Sequence, residues 1–224
     1  MKKPLGIKDR LNALLSNSRF WILTSGITLS FFIAGSIQFF IPEGSLQTIR
    51  IEQTFAFISF LLLYLAVLAS PFTKVFPKLS INPFYLHARR AIGVLSFYYA
   101  FLHVYISFFT QLNGFDGLQF LNAQYSLSIL FGFIALGILA IMTLTSMDWV
   151  VRMMHFKNWK LLHRLVYIAG ISILIHVIII GPHFMNISAL GILTYAALAF
   201  LGILEILRIR RAITNPNQPK ERMQ

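Results

Sequence analysis

The chain has 224 residues, of which 57% are hydrophobic and only 12% are charged. Soluble domains carry about 25% charged residues, so a water-soluble fold of this size would lack polar surface. Cysteine is absent, which excludes disulfides, thiolate metal sites and cysteine nucleophiles. The formal charge of +12 does not indicate a nucleic-acid partner, because the basic residues lie in clusters between long apolar runs.

Long runs without Asp, Glu, Lys or Arg predict the membrane spans, since a helix needs about 20 apolar residues to cross the hydrocarbon core. The first run has 23 residues, longer than the apolar part of a signal peptide, and predicts a retained first helix. The last run is 40 residues long and is broken by Gly181-Pro182-His183, which predicts two helices joined by a hairpin. The prediction is an all-α, six-helix transmembrane bundle, from the charge-free runs 20–42, 53–73, 91–115, 117–147 and 165–204.

The distribution of Lys and Arg predicts the orientation. Of the 19 basic side chains, 18 lie in the N-terminal tail, the second and fourth loops and the C-terminal tail. The other three loops are expected to hold Arg50, Glu43, Glu52 and Asp116. By the positive-inside rule both termini face the cytoplasm, which places the basic surface against anionic lipid. The predicted division is a basic tail at 1–19, a membrane domain at 20–208 and a basic tail at 209–224.

Two histidines fall at the same predicted depth inside the membrane. His103 lies thirteen residues after Arg90, and His176 lies thirteen residues after His163. At 1.5 Å per residue both lie about 20 Å from the inner edge, roughly two-thirds of the way across a core about 30 Å thick. Two imidazoles at matching depth can hold one metal, and without cysteine or a nearby intramembrane carboxylate a b-type haem is the favoured group. The alternative, that each histidine hydrogen-bonds a neighbouring helix, remains open.

The other histidines are interpreted separately. His163 points roughly 140° away from His176 around its helix and lies about 20 Å from it, so the two cannot bind one iron. His163 therefore either serves a second, inner haem or lines the membrane interface. His87, the one helix-3-side candidate opposite it, is interpreted as a solvated loop residue, and His155 and His183 as loop residues.

Three segments resemble known signatures. Residues 159–176 (WKLLHRLVYIAGISILIH), 88–103 (ARRAIGVLSFYYAFLH) and 144–154 (LTSMDWVVRMM) resemble helices 5, 3 and 4 of ferric reductase-like transmembrane domains. Within that group the chain is most similar to the MsrQ (YedZ) family, whose members are haem-binding subunits that pass electrons to a periplasmic methionine sulfoxide reductase. The resemblance covers about residues 84–182, in a core of about 53–182. It differs at residues 52–54, where Glu-Gln-Thr replaces the usual Thr-Gly, and in the outer loop at 122–126.

The resemblance implies haem-binding residues and partners. The family's histidines fall on His103, His163 and His176, so one or two b-type haems are implied, with the first and third histidines on one iron. It also implies a location in a bacterial inner membrane, an electron donor at the cytoplasmic side, either a flavin such as FMN or a quinol, and a periplasmic reductase as acceptor.

The sequence hypothesis is an electron-transfer subunit of an oxidoreductase system, with no catalytic residue of its own. No Gly-x-Gly-x-x-Gly fingerprint is present, so a separate donor must supply the electrons. Three alternatives stay open: a terminal ferric or metal reductase, a haem-binding sensor or assembly subunit, and a transporter. Against transport, no carboxylate is expected mid-membrane, where coupled transporters usually place one. Glu205, one turn from the end of the last helix, is expected to pair with Arg208.

Overall fold

The computed structural model describes residues 7–181 and 188–214, with side chains from residue 18 onward. These residues form helices joined by short connections, and no strand occurs among them. A π-helical turn, Ser107–Gln111, continues the third helix, and a 3₁₀ turn, His163–Leu165, joins the seventh to the eighth. The helices are α1 (Ile7–Phe40), α2 (Ser45–Val75), α3 (Asn82–Ile106), α4 (Phe115–Leu118), α5 (Ala123–Leu144), α6 (Asp148–Met153), α7 (Phe156–Leu162), α8 (Val166–Ile180) and α9 (Ala189–Thr214).

The predicted fold class is confirmed. Within the described ranges, six helical segments are long and apolar enough to cross a membrane, and the chain is a multi-pass membrane protein. The segments are Ser18–Phe40, Ser45–Val75, Asn82–Gln111, Ala123–Leu144, Phe156–Ile180 and Ala189–Thr214. The last two are separate, as predicted; most of the predicted hairpin, including His183, lies outside the described residues.

Two helices begin earlier than the charge-free runs predicted. Helix α2 begins at Ser45, so Arg50 and Glu52, expected in an outer loop, are helical. Helix α3 begins at Asn82 with a proline in its first turn, so His87 lies in a helix and the loop interpretation was wrong. A charge-free run marks only the part of a helix in hydrocarbon, whereas the backbone continues its hydrogen bonds beyond that part.

Small side chains allow α2 and α3 to pack closely. Ser59 donates from Oγ to the Ser96 carbonyl at 2.9 Å, and Ser96 returns the bond to the Ser59 carbonyl at 3.0 Å. Both serines are buried. Such reciprocal bonds between small residues are typical of helix contacts in lipid, where association depends on close packing and hydrogen bonds. Helices α5 and α8 pack on this pair through a core around Leu139 and Ala169.

One end of the bundle, here called the basic end, gathers arginines from several helices. Arg19 of α1 and Arg90 of α3 both bind Asp148 at the start of α6. Arg211 of α9 donates to the last carbonyls of α2. At the opposite end, Gln124 at the start of α5 donates to a carbonyl near the end of α8. The first span therefore begins at the basic end and the last span ends there, as an even number of crossings requires.

Candidate functional site

The bundle brings together His103 and His176, the two histidines that were predicted to lie at the same depth in the membrane. The rings of His103 on α3 and His176 on α8 have centroids 6.4 Å apart and planes inclined by 75°. Thirteen residues separate His103 from Arg90 at the basic end, which corresponds to about 20 Å along the helix. The pair therefore lies well inside the span, nearer to the end opposite the arginines.

The ring of His176 is fixed by Ser128 on α5. Its Nδ1 lies 2.9 Å from the Ser128 carbonyl oxygen and 3.1 Å from the hydroxyl. The hydroxyl donates to the His176 carbonyl at 3.0 Å, and Ser128 is fully buried. A carbonyl oxygen only accepts, so Nδ1 carries the proton and donates. The lone pair of Nε2 is then left to bind a metal, the arrangement that metal-binding histidines usually have.

Gly132, one turn after Ser128, provides the space for this ring. A Cβ at Gly132 would lie 3.0 Å from Nδ1 of His176 and 3.2 Å from its Cε1. Both distances are shorter than ordinary contacts between heavy atoms, which are about 3.5 Å or more. Gly132 is therefore a close-packing position, and the side chain that it accommodates is the histidine itself.

The ring of His103 lies beside a carboxylate, Glu52, which the sequence had placed in a loop. Glu52 on α2 is 8% exposed, and its Oε1 lies 3.2 Å from Nδ1 of His103. The expectation that no carboxylate lies near the site was therefore wrong. Helical periodicity could have found it, because Ile51 and Phe55 are both core residues and extend the apolar stripe of α2 past Glu52.

The separation of the rings fits one metal between them. A metal–imidazole bond is about 2 Å long, and a ring centre lies about 1.2 Å behind its nitrogen, so linear ligation puts the centres about 6 Å apart. The 6.4 Å separation matches that value. The described residues contain no group of three or more His, Cys, Asp or Glu that could hold a metal ion. Two nitrogen donors suit an iron whose other ligands come from a porphyrin.

His163 lies apart from this pair, near the basic end. Its ring packs against Trp159 with centroids 4.1 Å apart and planes inclined by 35°, and its Nε2 is 3.5 Å from the Thr145 hydroxyl. The Trp159 indole donates to the Thr145 carbonyl at 3.0 Å, and the guanidinium of Arg90 lies over the indole at 5.4 Å. The contacts of His163 in the described structure are therefore aromatic and polar, without a second imidazole.

The two remaining described histidines lie outside the site. His87 has a buried Nε2 that makes no hydrogen bond within the described part of the chain. His155 lies between α6 and α7, as the loop interpretation predicted, is exposed and has a φ of 59°. Neither residue is in contact with the His103–His176 pair.

Comparison with known proteins assigns the family. The family model described as the ferric reductase like transmembrane component matches residues 54–174, which is more than half of the chain. The chain belongs to the ferric reductase-like transmembrane family. The matched region of this family contains His103 and His163 and ends two residues before His176.

Curated relatives of this ferric reductase-like chain carry a more specific name. The protein-methionine-sulfoxide reductase heme-binding subunits MsrQ of Brucella ovis, Brucella canis and Brucella suis are each 37% identical to it over 98 residues. The alignments cover 41% of this chain and 41% of each relative, so less than half of each relative's length is matched. No solved structure matches the chain.

Proposed function

We propose that this protein binds a b-type haem through His103 and His176 and carries electrons across the membrane. The observation that supports the proposal is the pair of partly buried imidazoles with centroids 6.4 Å apart. Nδ1 of His176 lies against the Ser128 carbonyl, and Nδ1 of His103 lies 3.2 Å from a carboxylate oxygen of Glu52. The name of the relatives, a heme-binding subunit, agrees with this ligand. When bound, haem supplies a one-electron couple between ferric and ferrous iron.

The side chains around the site have definite roles in this proposal. Ser128 fixes the tautomer and direction of His176, and Gly132 leaves room for the ring. Phe97 and Ala100 on α3 and Ile173 on α8 are partly buried apolar residues of the adjacent core. An apolar shell excludes water from a redox centre and helps to set its potential.

The position of the site suggests the direction of transfer. We infer from the positive-inside rule that the basic end faces the cytoplasm of a bacterial inner membrane. The histidine pair then lies in the outer half, so electrons enter from a quinol or a flavin donor such as FMN at the basic end and leave at the periplasmic side. The relatives are named as heme-binding subunits of a protein-methionine-sulfoxide reductase, and we propose such a reductase as the acceptor. We extend that partner to this chain as a proposal.

An absorption spectrum of the purified protein tests haem binding. We expect a b-type spectrum on reduction with dithionite, and its loss in His103→Ala and in His176→Ala. His155→Asn is the matched control, because that residue is exposed and asparagine tolerates its positive φ. A folded wild-type protein without haem, or haem retained at wild-type level in both alanine variants, would refute the proposal.

The number of haems tests the prediction for His163. The described neighbours of His163 include no second imidazole, so we expect one haem per chain, unchanged in His163→Ala. Two haems in the wild type, with one lost in His163→Ala, would assign an inner haem to this residue instead.

The acceptor requires a separate experiment. Haem reduced with dithionite in vesicles is expected to be reoxidised by an oxidised periplasmic methionine sulfoxide reductase faster than by a soluble ferric chelate. The opposite order would favour a terminal ferric reductase. Slow reoxidation by both would favour a haem-binding sensor or assembly subunit.

A further inference from the structure

Glu52 is a carboxylate buried in a transmembrane helix. It lies seven residues after the start of α2, is 8% exposed, and is flanked by the core residues Ile51 and Phe55. Moving a charge from water into such surroundings costs several kcal/mol in real proteins, so a buried charge needs a specific partner. Intramembrane carboxylates are rare for this reason and usually have a function.

The partner that the structure gives Glu52 is His103. The carboxylate Oε1 lies 3.2 Å from Nδ1, within hydrogen-bonding distance. The Nδ1 atom is buried and has no well-aligned hydrogen bond, so the carboxylate stands off the N–H axis. The two side chains are 10% and 20% exposed, so little water competes for Nδ1.

The two imidazoles of the site consequently differ in their outer partners. Nδ1 of His176 faces a neutral backbone carbonyl, whereas Nδ1 of His103 faces a carboxylate. A hydrogen bond to a carboxylate is stronger than one to a neutral carbonyl. It draws the N–H proton away from the ring and makes the other nitrogen a stronger donor to a metal.

We propose that Glu52 is a positioning residue that holds His103 with Nε2 toward the iron and lowers the reduction potential of the haem. The inference rests on the proposed function. A more basic imidazole and a nearby negative charge both favour the ferric ion, which carries one more positive charge than the ferrous ion. In this inference the effect of Glu52 is exerted through His103, the side chain whose Nδ1 it approaches.

The test compares Glu52→Gln with Glu43→Gln. Glutamine keeps the size of the side chain and removes its charge, and Glu43 is an exposed residue near the same end of the bundle. We expect Glu52→Gln to shift the ferrous-to-ferric preference about tenfold, which corresponds to a rise of about 59 mV in a one-electron midpoint potential. Haem affinity should fall about 10- to 100-fold, as is usual when an outer partner of a ligand is lost. Glu43→Gln should match the wild type in both measurements.

Spectroelectrochemical titration and haem transfer to apomyoglobin supply the two measurements. Glu52→Asp retains the charge at a greater distance, so its potential should rise by less than that of Glu52→Gln. If Glu52→Gln is not recovered folded, Glu52→Asp provides the test. A midpoint potential of Glu52→Asp equal to that of Glu43→Gln then overturns the inference.

The outcomes separate this inference from the function on which it rests. A wild-type protein without haem overturns both. Haem in the wild type, with the same potential and retention in Glu52→Gln and Glu43→Gln, overturns only the role of Glu52. Reduced haem content in Glu52→Ala with an unchanged potential in Glu52→Gln would show that Glu52 acts only in packing, which also overturns the inference.

Discussion

Replacing Gly132 by alanine tests the geometry of the site most directly. The added Cβ would lie 3.0 Å from Nδ1 of His176 and 3.2 Å from Cε1. Ordinary contacts are about 3.5 Å or longer, so the ring must retreat by about half an ångström. The bond from Nδ1 to the Ser128 carbonyl, now 2.9 Å, would then approach about 3.4 Å, beyond the usual upper limit of about 3.2 Å.

The cost of this displacement can be given as an order of magnitude. Overpacking a close-packed position costs about 1–3 kcal/mol, and about 1.4 kcal/mol is tenfold in an equilibrium constant. Haem affinity should therefore fall between about fivefold and a hundredfold. Alanine also favours the helix over glycine by about 1 kcal/mol. The thermal stability of the haem-free protein should consequently change little while haem retention falls.

Gly137→Ala is the matched control. It lies on the same helix, and no other side chain lies within 4 Å of the Cβ it would gain. Haem retention is measured for both variants by transfer to apomyoglobin, and unfolding by circular dichroism in detergent. Equal retention in Gly132→Ala and Gly137→Ala would refute the position of His176 described above.

Two further predictions concern Ser128 and Asp148. Ser128→Ala removes the hydroxyl but leaves the carbonyl that accepts from Nδ1 of His176. Haem affinity should therefore fall only a few-fold relative to Ser126→Ala, an exposed control on the same helix. An identical spectrum and haem affinity in the two variants would contradict a role for the hydroxyl. Burial alone would raise the pKa of Asp148, but hydrogen bonds and charge from Arg19 and Arg90 hold that pKa below its usual value. The stabilisation is therefore complete above about pH 3.9, the unfolded pKa, and is lost as the pH falls through the lower folded value. In thermal unfolding, Asp148→Asn should be less stable than the wild type by about 1 kcal/mol at pH 7 and equally stable near pH 2. A difference in stability that persists at low pH would contradict the ion-pair explanation.

The six spans were predictable because the bilayer restricts what can cross it. A segment in hydrocarbon must satisfy its own backbone, so long runs without charges become helices. The pair Glu205–Arg208 was also predictable from helical spacing, and the structure gives it a 2.7 Å contact. The depth of His103 followed from counting residues from the basic end at a fixed rise, which is reliable for an unbroken helix such as α3. The count to His176 begins in the 3₁₀ turn His163–Leu165, and the two rings still lie with centroids 6.4 Å apart.

The surroundings of the histidines were less predictable. Glu52 was assigned to a loop because the predicted span began at the first residue after it. The helix in fact begins at Ser45 and includes Glu52. Its burial depends on contact between α2 and α3, and neither helix alone carries that information. The bond from His176 to the Ser128 carbonyl depends in the same way on the packing of α5 against α8.

The expectation of one haem follows from the equal spacing that places His103 and His176 at the same level. Thirteen residues before His176 lies His163, and thirteen residues before His103 lies Arg90, so the inner level of the same two helices pairs an imidazole with a guanidinium. The structure agrees, because the guanidinium of Arg90 lies over Trp159 and the ring of Trp159 packs against that of His163. A guanidinium has donors but no lone pair to offer iron. An inner haem opposite His163 would therefore lack its second protein ligand from α3 at this level, whereas the outer level provides both.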